Sequence, residues 1–137
     1  MAPPRYTGGC LCAQLRYAAD AAPRDAGYCY CVDCRRVSGS GWIGFMGFAR
    51  AALRFSGATR QYEVRSHRGT TSVRNFCPHC GSLVFGGPAD ASEFTIYAGS
   101  LDEPALFVPR IAIFTRDRPS WAPLPAGLEL HQTLPPG

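Results

Sequence analysis

The chain has 137 residues, 46% of them hydrophobic and 12% aromatic, with a formal net charge of +4. That length and apolar content predict one domain spanning residues 1–137, with its core at about 6–124. The positive charge is spread along the chain rather than gathered in a run, which argues against a nucleic-acid partner, although Arg also suits a grip on the carboxylate of a small anionic substrate.

The first residues, Met1-Ala2-Pro3-Pro4-Arg5, lack the apolar stretch of a signal peptide. No run of about 18 apolar residues follows, so no membrane-spanning helix is expected. Gly8-Gly9 permits a tight knuckle before Cys10. Residues 13–18 read as a strand, with Leu15 and Tyr17 on one face and Gln14 and Arg16 on the other. Residues 20–27 read as a turn region around Pro23, and residues 28–31 as extended. Residues 32–37 can make one or two helical turns, which Ser38-Gly39-Ser40-Gly41 stops. Residues 42–48 read as a buried strand, and residues 53–55 and 61–65 as short strands on either side of Gly57. Residues 70–77 and 82–85 are predicted strands joined by a turn at Pro78. Gly86-Gly87-Pro88 and Asp102-Glu103-Pro104 read as turns, and residues 94–98 and 107–114 as the last strands. The Pro-rich tail from Pro119 is expected to wrap the surface, pinned by Trp121. Together these elements predict a mostly β fold of short antiparallel strands with at most one short helix.

Seven cysteines cannot all pair within the chain, and they cluster. With neither a signal peptide nor a membrane span expected, the expected location is cytoplasmic, where thiols stay reduced and such clusters mean metal more often than disulfide. Cys10, Cys12, Cys77 and Cys80 form two close pairs far apart in sequence, and together they can fill a tetrahedron around zinc. A site closed by four thiolates has no open position, and its role would be structural. Buried free cysteines are one alternative. A redox role for Cys77-Pro78-His79-Cys80 is another, opposed by the lack of a βαβ pattern around it.

Cys29, Cys31 and Cys34 lie within six residues and leave one position open, the pattern of catalytic zinc. Three thiolates outweigh the charge of zinc. Such a site is poor at making hydroxide and better suited to exchange with an incoming thiolate, so a small thiol or thiol adduct is the expected substrate. Arg35 and Arg36 follow the last cysteine and can neutralise the site or grip a carboxylate, with Arg68 and Arg74 as further cations. Two alternatives stay open: closure by a fourth ligand (Asp33, His67 or His79), or empty redox-sensitive thiols. His131 reads as a surface residue. Asp25, Asp33, Glu63, Asp90 and Glu93 are acid/base candidates that spacing does not separate.

Gly8-Gly9-Cys10-Leu11-Cys12, Cys29-Tyr30-Cys31-Val32-Asp33-Cys34-Arg35-Arg36-Val37-Ser38-Gly39 and Phe76-Cys77-Pro78-His79-Cys80-Gly81 resemble the glutathione-dependent formaldehyde-activating enzyme family, also called the CENP-V/GFA domain. The resemblance runs from about Tyr6 to Leu124. It implies an Mss4-like fold with zinc knuckles and two zinc ions per chain: structural zinc on Cys10, Cys12, Cys77 and Cys80, and catalytic zinc on Cys29, Cys31 and Cys34. It implies a carbon–sulfur lyase that forms or breaks S-hydroxymethylglutathione from formaldehyde and glutathione. The resemblance departs at Ala112, which stands where many members carry a His before Ile113, and this implies an altered substrate contact. The rival reading is a zinc-stabilised protein- or nucleic-acid-binding module, with a closed second site and its Arg residues on a convex face.

Overall fold

The computed structural model describes residues 5–65 and 69–136. Its strands are β1 (Tyr6–Gly9), β2 (Arg16–Ala19), β3 (Asp25–Cys29), β4 (Ile43–Ala49), β5 (Leu53–Ser56), β6 (Arg60–Arg65), β7 (Thr71–Phe76), β8 (Leu83–Pro88), β9 (Glu93–Tyr97), β10 (Ile111–Ile113) and β11 (Glu129–Leu130). The α-helix α1 (Val32–Ser38) lies between β3 and β4, and short 3-10 turns fill several connections. The mostly β expectation holds. A three-stranded antiparallel sheet has the order β1-β2-β5, and an eight-stranded sheet has the order β11-β10-β3-β4-β9-β8-β7-β6.

The strands run from two to seven residues. Alternation then decides which side chains are buried. Leu15 and Tyr17 face inward, as their pattern predicts. They meet Met46 and Phe48 of β4, Ile96 of β9 and Val84 of β8 in a core shared by the two sheets. Strand β4 has two buried faces. Met46 and Phe48 enter that core, while Ile43 and Phe45 enter a second cluster containing Cys29, Cys31 and Cys34. One central strand therefore connects the main core to the three-cysteine site.

Several expectations need correction. Residues 6–9 form a strand, β1, that pairs with β2. Strand β3 begins at Asp25, inside the stretch read as a turn. Gly86-Gly87-Pro88 does not turn; it continues β8, opposite Ser72, Val73 and Arg74. Only Ile111–Ile113 of the segment 107–114 is strand. That strand lies parallel to both β3 and β11, so the large sheet is mixed rather than wholly antiparallel. The distance in sequence between β3 and β10 gives the long connection that a parallel pair requires. The tail does more than wrap the surface. It supplies β11, and Trp121 is 68% exposed. The tail is held instead by the Tyr30 hydroxyl, which donates to the Pro123 carbonyl, and by Arg118, which donates to the Ala122 carbonyl at 2.7 Å. His131 is not a surface residue, since its side chain is only 14% exposed and lies 3.5 Å from Glu129.

A polar clamp ties β1 and β2 to the segment after β9. Arg16 donates to both oxygens of Asp102, one of these bonds being 2.9 Å, and Thr7 donates to Asp102 at 2.8 Å. The Arg16 hydrogen bond, then that of Thr7, holds the Asp102 carboxyl below its ordinary value. A lowered folded value means that the clamp stabilises above the ordinary carboxyl range and is lost as pH falls through the folded value. Both partners are partly exposed, so Asp102→Asn is expected to cost less than about 1 kcal/mol at neutral pH. Urea unfolding at neutral and acid pH checks this: the difference from wild type should shrink in acid, and a constant difference would remove the charge from the explanation.

Candidate metal centres

The four-cysteine cluster is built from two similar turns. In the first, the Cys10 N–H donates to the Leu15 carbonyl at 2.9 Å, and Ala13 adopts a left-handed conformation with φ 67°. In the second, the Cys77 N–H donates to the Ser82 carbonyl at 3.0 Å, and Gly81 is left-handed with φ 79°. Both turns aim backbone N–H groups at sulphur: Leu15 at Cys10 (3.2 Å), and His79 and Cys80 at Cys77 (3.4 and 3.5 Å). Such donors stabilise thiolate over thiol. All four Sγ atoms lie within 4.8 Å of one another. Cys10–Cys12 and Cys12–Cys77 are 3.6 and 3.7 Å apart, far beyond a disulfide bond of about 2.05 Å. Cys10 and Cys77 are buried in the main core, and Cys12 is exposed. Ser82 holds the Cys80 thiol down to about 5.

The three-cysteine cluster joins the end of β3 to the start of α1. The Cys31 sulphur caps the helix by accepting from the Cys34 N–H at 3.3 Å. The helix ends where left-handed Gly39 (φ 67°) donates to the Arg35 carbonyl, the expected glycine stop. The end of β3 and the first turn of α1 set all three sulphurs within 4.8 Å of one another. No Asp, Glu or His among the described residues joins them within that distance. Asp33 is half-buried outside the group, His79 is exposed, and His67 and Arg68 lie outside the described residues. Crowding separates the thiols. Hydrogen bonds from Cys29, then Cys34, hold Cys31 down to about 2, while the same contacts push Cys29 far up. Cys34 rises to about 11, because Cys31 and burial outweigh the lowering by Cys29. A cluster that already favours an anion, built from soft donors and accepting backbone N–H groups, fits a thiophilic dication at both centres.

A cavity of about 340 Å³ opens beside Cys29 and Cys34. Its wall is apolar at Ile111, Ile113, Phe114 and Leu134, and polar at Arg74, Thr95 and Tyr97. Asp25 and Glu93 also line it, while the other acid/base candidates do not. Arg35 and Arg36 are not among its lining residues. Arg36 is exposed and Arg35 half-buried, whereas Arg74 reaches the cluster from β7. Ile43 and Tyr97 also line a second cavity of about 440 Å³ on the side of Trp42 and Gly81. Ala112 is fully buried with Tyr30 and Ala122, while its neighbours Ile111 and Ile113 line the cavity. By strand alternation its side chain faces away from the cluster.

Sequence reasoning missed Tyr97 and the reach of the tail. Tyr97 Oη accepts from Arg74 at 3.1 Å, and burial pushes its phenol up to about 12. Room for that hydroxyl comes from Gly86, where a Cβ would lie 2.6 Å from Tyr97 Oη and 2.8 Å from the Val73 carbonyl. Gly86→Ala is therefore expected to displace Tyr97 and to cost about 1–3 kcal/mol by overpacking. Thermal melting of the variant checks the cost, and an unchanged melting temperature would contradict this packing.

A sequence model described as glutathione-dependent formaldehyde-activating enzyme matches residues 5–117 of the chain. A comparison with curated proteins finds no match. The fold is similar to that of a crystal structure of a Rhodobacter sphaeroides protein, with 21% sequence identity and a TM-score of 0.51, over 70% of this chain and 87% of that one.

Proposed function

Because the chain belongs to the glutathione-dependent formaldehyde-activating enzyme family, we propose that it is a zinc-dependent carbon–sulfur lyase acting on a small thiol adduct, with glutathione and formaldehyde as the type substrates. The observation that carries this reading is a buried trio of thiols, with no described fourth protein ligand, at the wall of a cavity. Cys29, Cys31 and Cys34 would hold the working zinc, and Cys10, Cys12, Cys77 and Cys80 the structural one. Zinc at the three-cysteine site would supply a Lewis acid that exchanges ligands with thiols.

The reaction joins a thiol to an aldehyde. A carbon–sulfur bond forms, and the proton lost from sulphur ends on the former carbonyl oxygen. Tyr97 is suited to the oxygen side. Its phenol stays protonated and its oxygen accepts from Arg74, so the hydroxyl hydrogen is what it would offer to the substrate oxygen. Phe114, Ile111 and Leu134 pack in one cluster with the three cysteines and give the cavity an apolar wall. Holding both reactants in one cavity supplies the proximity term. No helix of the described residues is long and apolar enough to cross a membrane. Reduced thiols suit the cytoplasm, which we infer as the site of action.

The test is the rate of exchange between free formaldehyde plus glutathione and S-hydroxymethylglutathione, followed by NMR at equilibrium. Acceleration that requires zinc at the three-cysteine site supports the lyase reading. A folded protein with two zinc ions that leaves the exchange of every small thiol tested at its uncatalysed rate would favour the binding-module alternative.

A further inference from the structure

Arg74 is the cation that the strand pairing brings to the three-cysteine cluster. It sits in the middle of β7, opposite Gly86 of β8, and its side chain is half-buried. One terminal nitrogen donates to Tyr97 Oη at 3.1 Å; the other points at Cys34 Sγ at 3.9 Å. The guanidinium carbon also lies 6.0 Å from the centre of the Tyr97 ring. The side chain is thus held at two points, and its charge is fixed at the sulphurs. An exposed arginine would be screened and mobile; this one faces thiols in a partly desolvated cavity.

We propose that Arg74 is a positioning residue of the three-cysteine site, whose tethered guanidinium offsets the excess negative charge of Cys29, Cys31 and Cys34 around a metal and so lets the site admit an anionic thiolate. The thiolate clause rests on the lyase reading. Three thiolates around a dication leave one negative charge, which Arg74 cancels. An incoming thiolate then meets no net charge at the cluster itself, although Asp25 and Glu93 also line the cavity, Glu93 at 3.6 Å from Arg24. Gly86 and Tyr97 serve this arrangement: the glycine leaves space for the phenol, and the phenol holds the guanidinium. The pattern accounts for Arg rather than Lys at position 74. A planar guanidinium gives a separate terminal nitrogen to the oxygen and to the sulphur, where an ammonium has a single nitrogen.

The test compares wild type with Arg74→Met and Arg74→Lys, using the full chain loaded with zinc or cobalt. Zinc affinity is read by chelator competition, and glutathione binding by the change in the thiolate-to-cobalt absorption. Arg74→Met is expected to weaken metal binding at the three-cysteine site by about 10–100-fold, the usual loss when a partner of a ligand is removed. Zinc at the four-cysteine cluster and the melting temperature should be unchanged, and glutathione should no longer alter the cobalt spectrum at concentrations that saturate wild type. Arg74→Lys should recover part of both losses, because the charge returns while the fork does not; a purely structural role would not show this rescue. A Met variant with wild-type metal and thiol affinities would overturn the proposal. If glutathione and other thiols leave even the wild-type cobalt spectrum unchanged, the lyase reading and the thiolate role fall together. The chelator measurement then still decides, separately, whether Arg74 balances the cluster.

Discussion

Replacing Cys77 by serine is expected to abolish the stable fold. Cys77 is 1% exposed and packs in the main core beside Cys10. Its sulphur accepts from the His79 and Cys80 N–H groups and lies 3.7 Å from Cys12, which is 65 residues away in the chain. A metal on this cluster therefore closes a long loop, and a cross-link of that span removes on the order of 4 kcal/mol of unfolded-chain entropy. Structural zinc itself contributes about 10–16 kcal/mol of apparent binding energy in small zinc folds. Whole domains are stable by only about 5–15 kcal/mol. If the cluster holds zinc as proposed, losing one of four ligands, with a buried hydroxyl in its place, is thus expected to cost more than about 4 kcal/mol, a loss that few single substitutions reach. Circular dichroism and zinc content check this. A Cys77→Ser chain that melts with wild type would contradict a structural role for the cluster.

Cys31→Ser is expected to do the opposite: keep the fold and lose the activity. The same element type carries a different consequence because of span. Cys29, Cys31 and Cys34 sit on one strand end and one helical turn, so a metal there closes no long loop. The local turn has support of its own from the Gly39 stop and from Ser38, which donates to the Cys34 carbonyl at 2.7 Å. A serine at position 31 can still cap the helix. What disappears is the thiolate that the cluster stabilises most, and with it the second metal. The variant should melt near wild type, hold one zinc instead of two, and show no acceleration of adduct exchange. If Cys31→Ser and Cys77→Ser unfold equally, the division into working and structural centres is wrong.

The division of the cysteines into four and three was legible in the sequence because metal ligands come in close pairs on tight turns, and such spacing survives without knowledge of the fold. Helix α1 was legible for a similar local reason, since Cys31 starts it and Gly39 ends it. Long-range pairing was not. Gly86-Gly87-Pro88 has the composition of a turn, yet it runs on as strand because β7 pairs with it on one side and β9 pairs with Gly86 on the other. The parallel placement of β10 against β3 depends on two segments more than eighty positions apart, which no local pattern encodes. The same limit hid Tyr97. An alternating strand shows which residues face inward, but not which inward residue meets Arg74 across β8. Arg35 and Arg36 looked nearest to the cluster because they are adjacent in sequence. The helix turns Arg36 into solvent, while Arg74, forty positions from Cys34, comes into contact with its sulphur. The tail was misread for a compositional reason: proline richness suggested a surface wrap, but backbone hydrogen bonds from Phe114 and Thr115 to Thr133 and His131 bring Leu134 to the cavity.

The most direct test of the two-centre account is zinc per folded chain, measured before and after a mild chelator. The account predicts two zinc ions, one removed readily with the circular dichroism unchanged and the other released only as the protein unfolds. A single tightly held zinc, with no second ion taken up after reconstitution with excess metal, would contradict it.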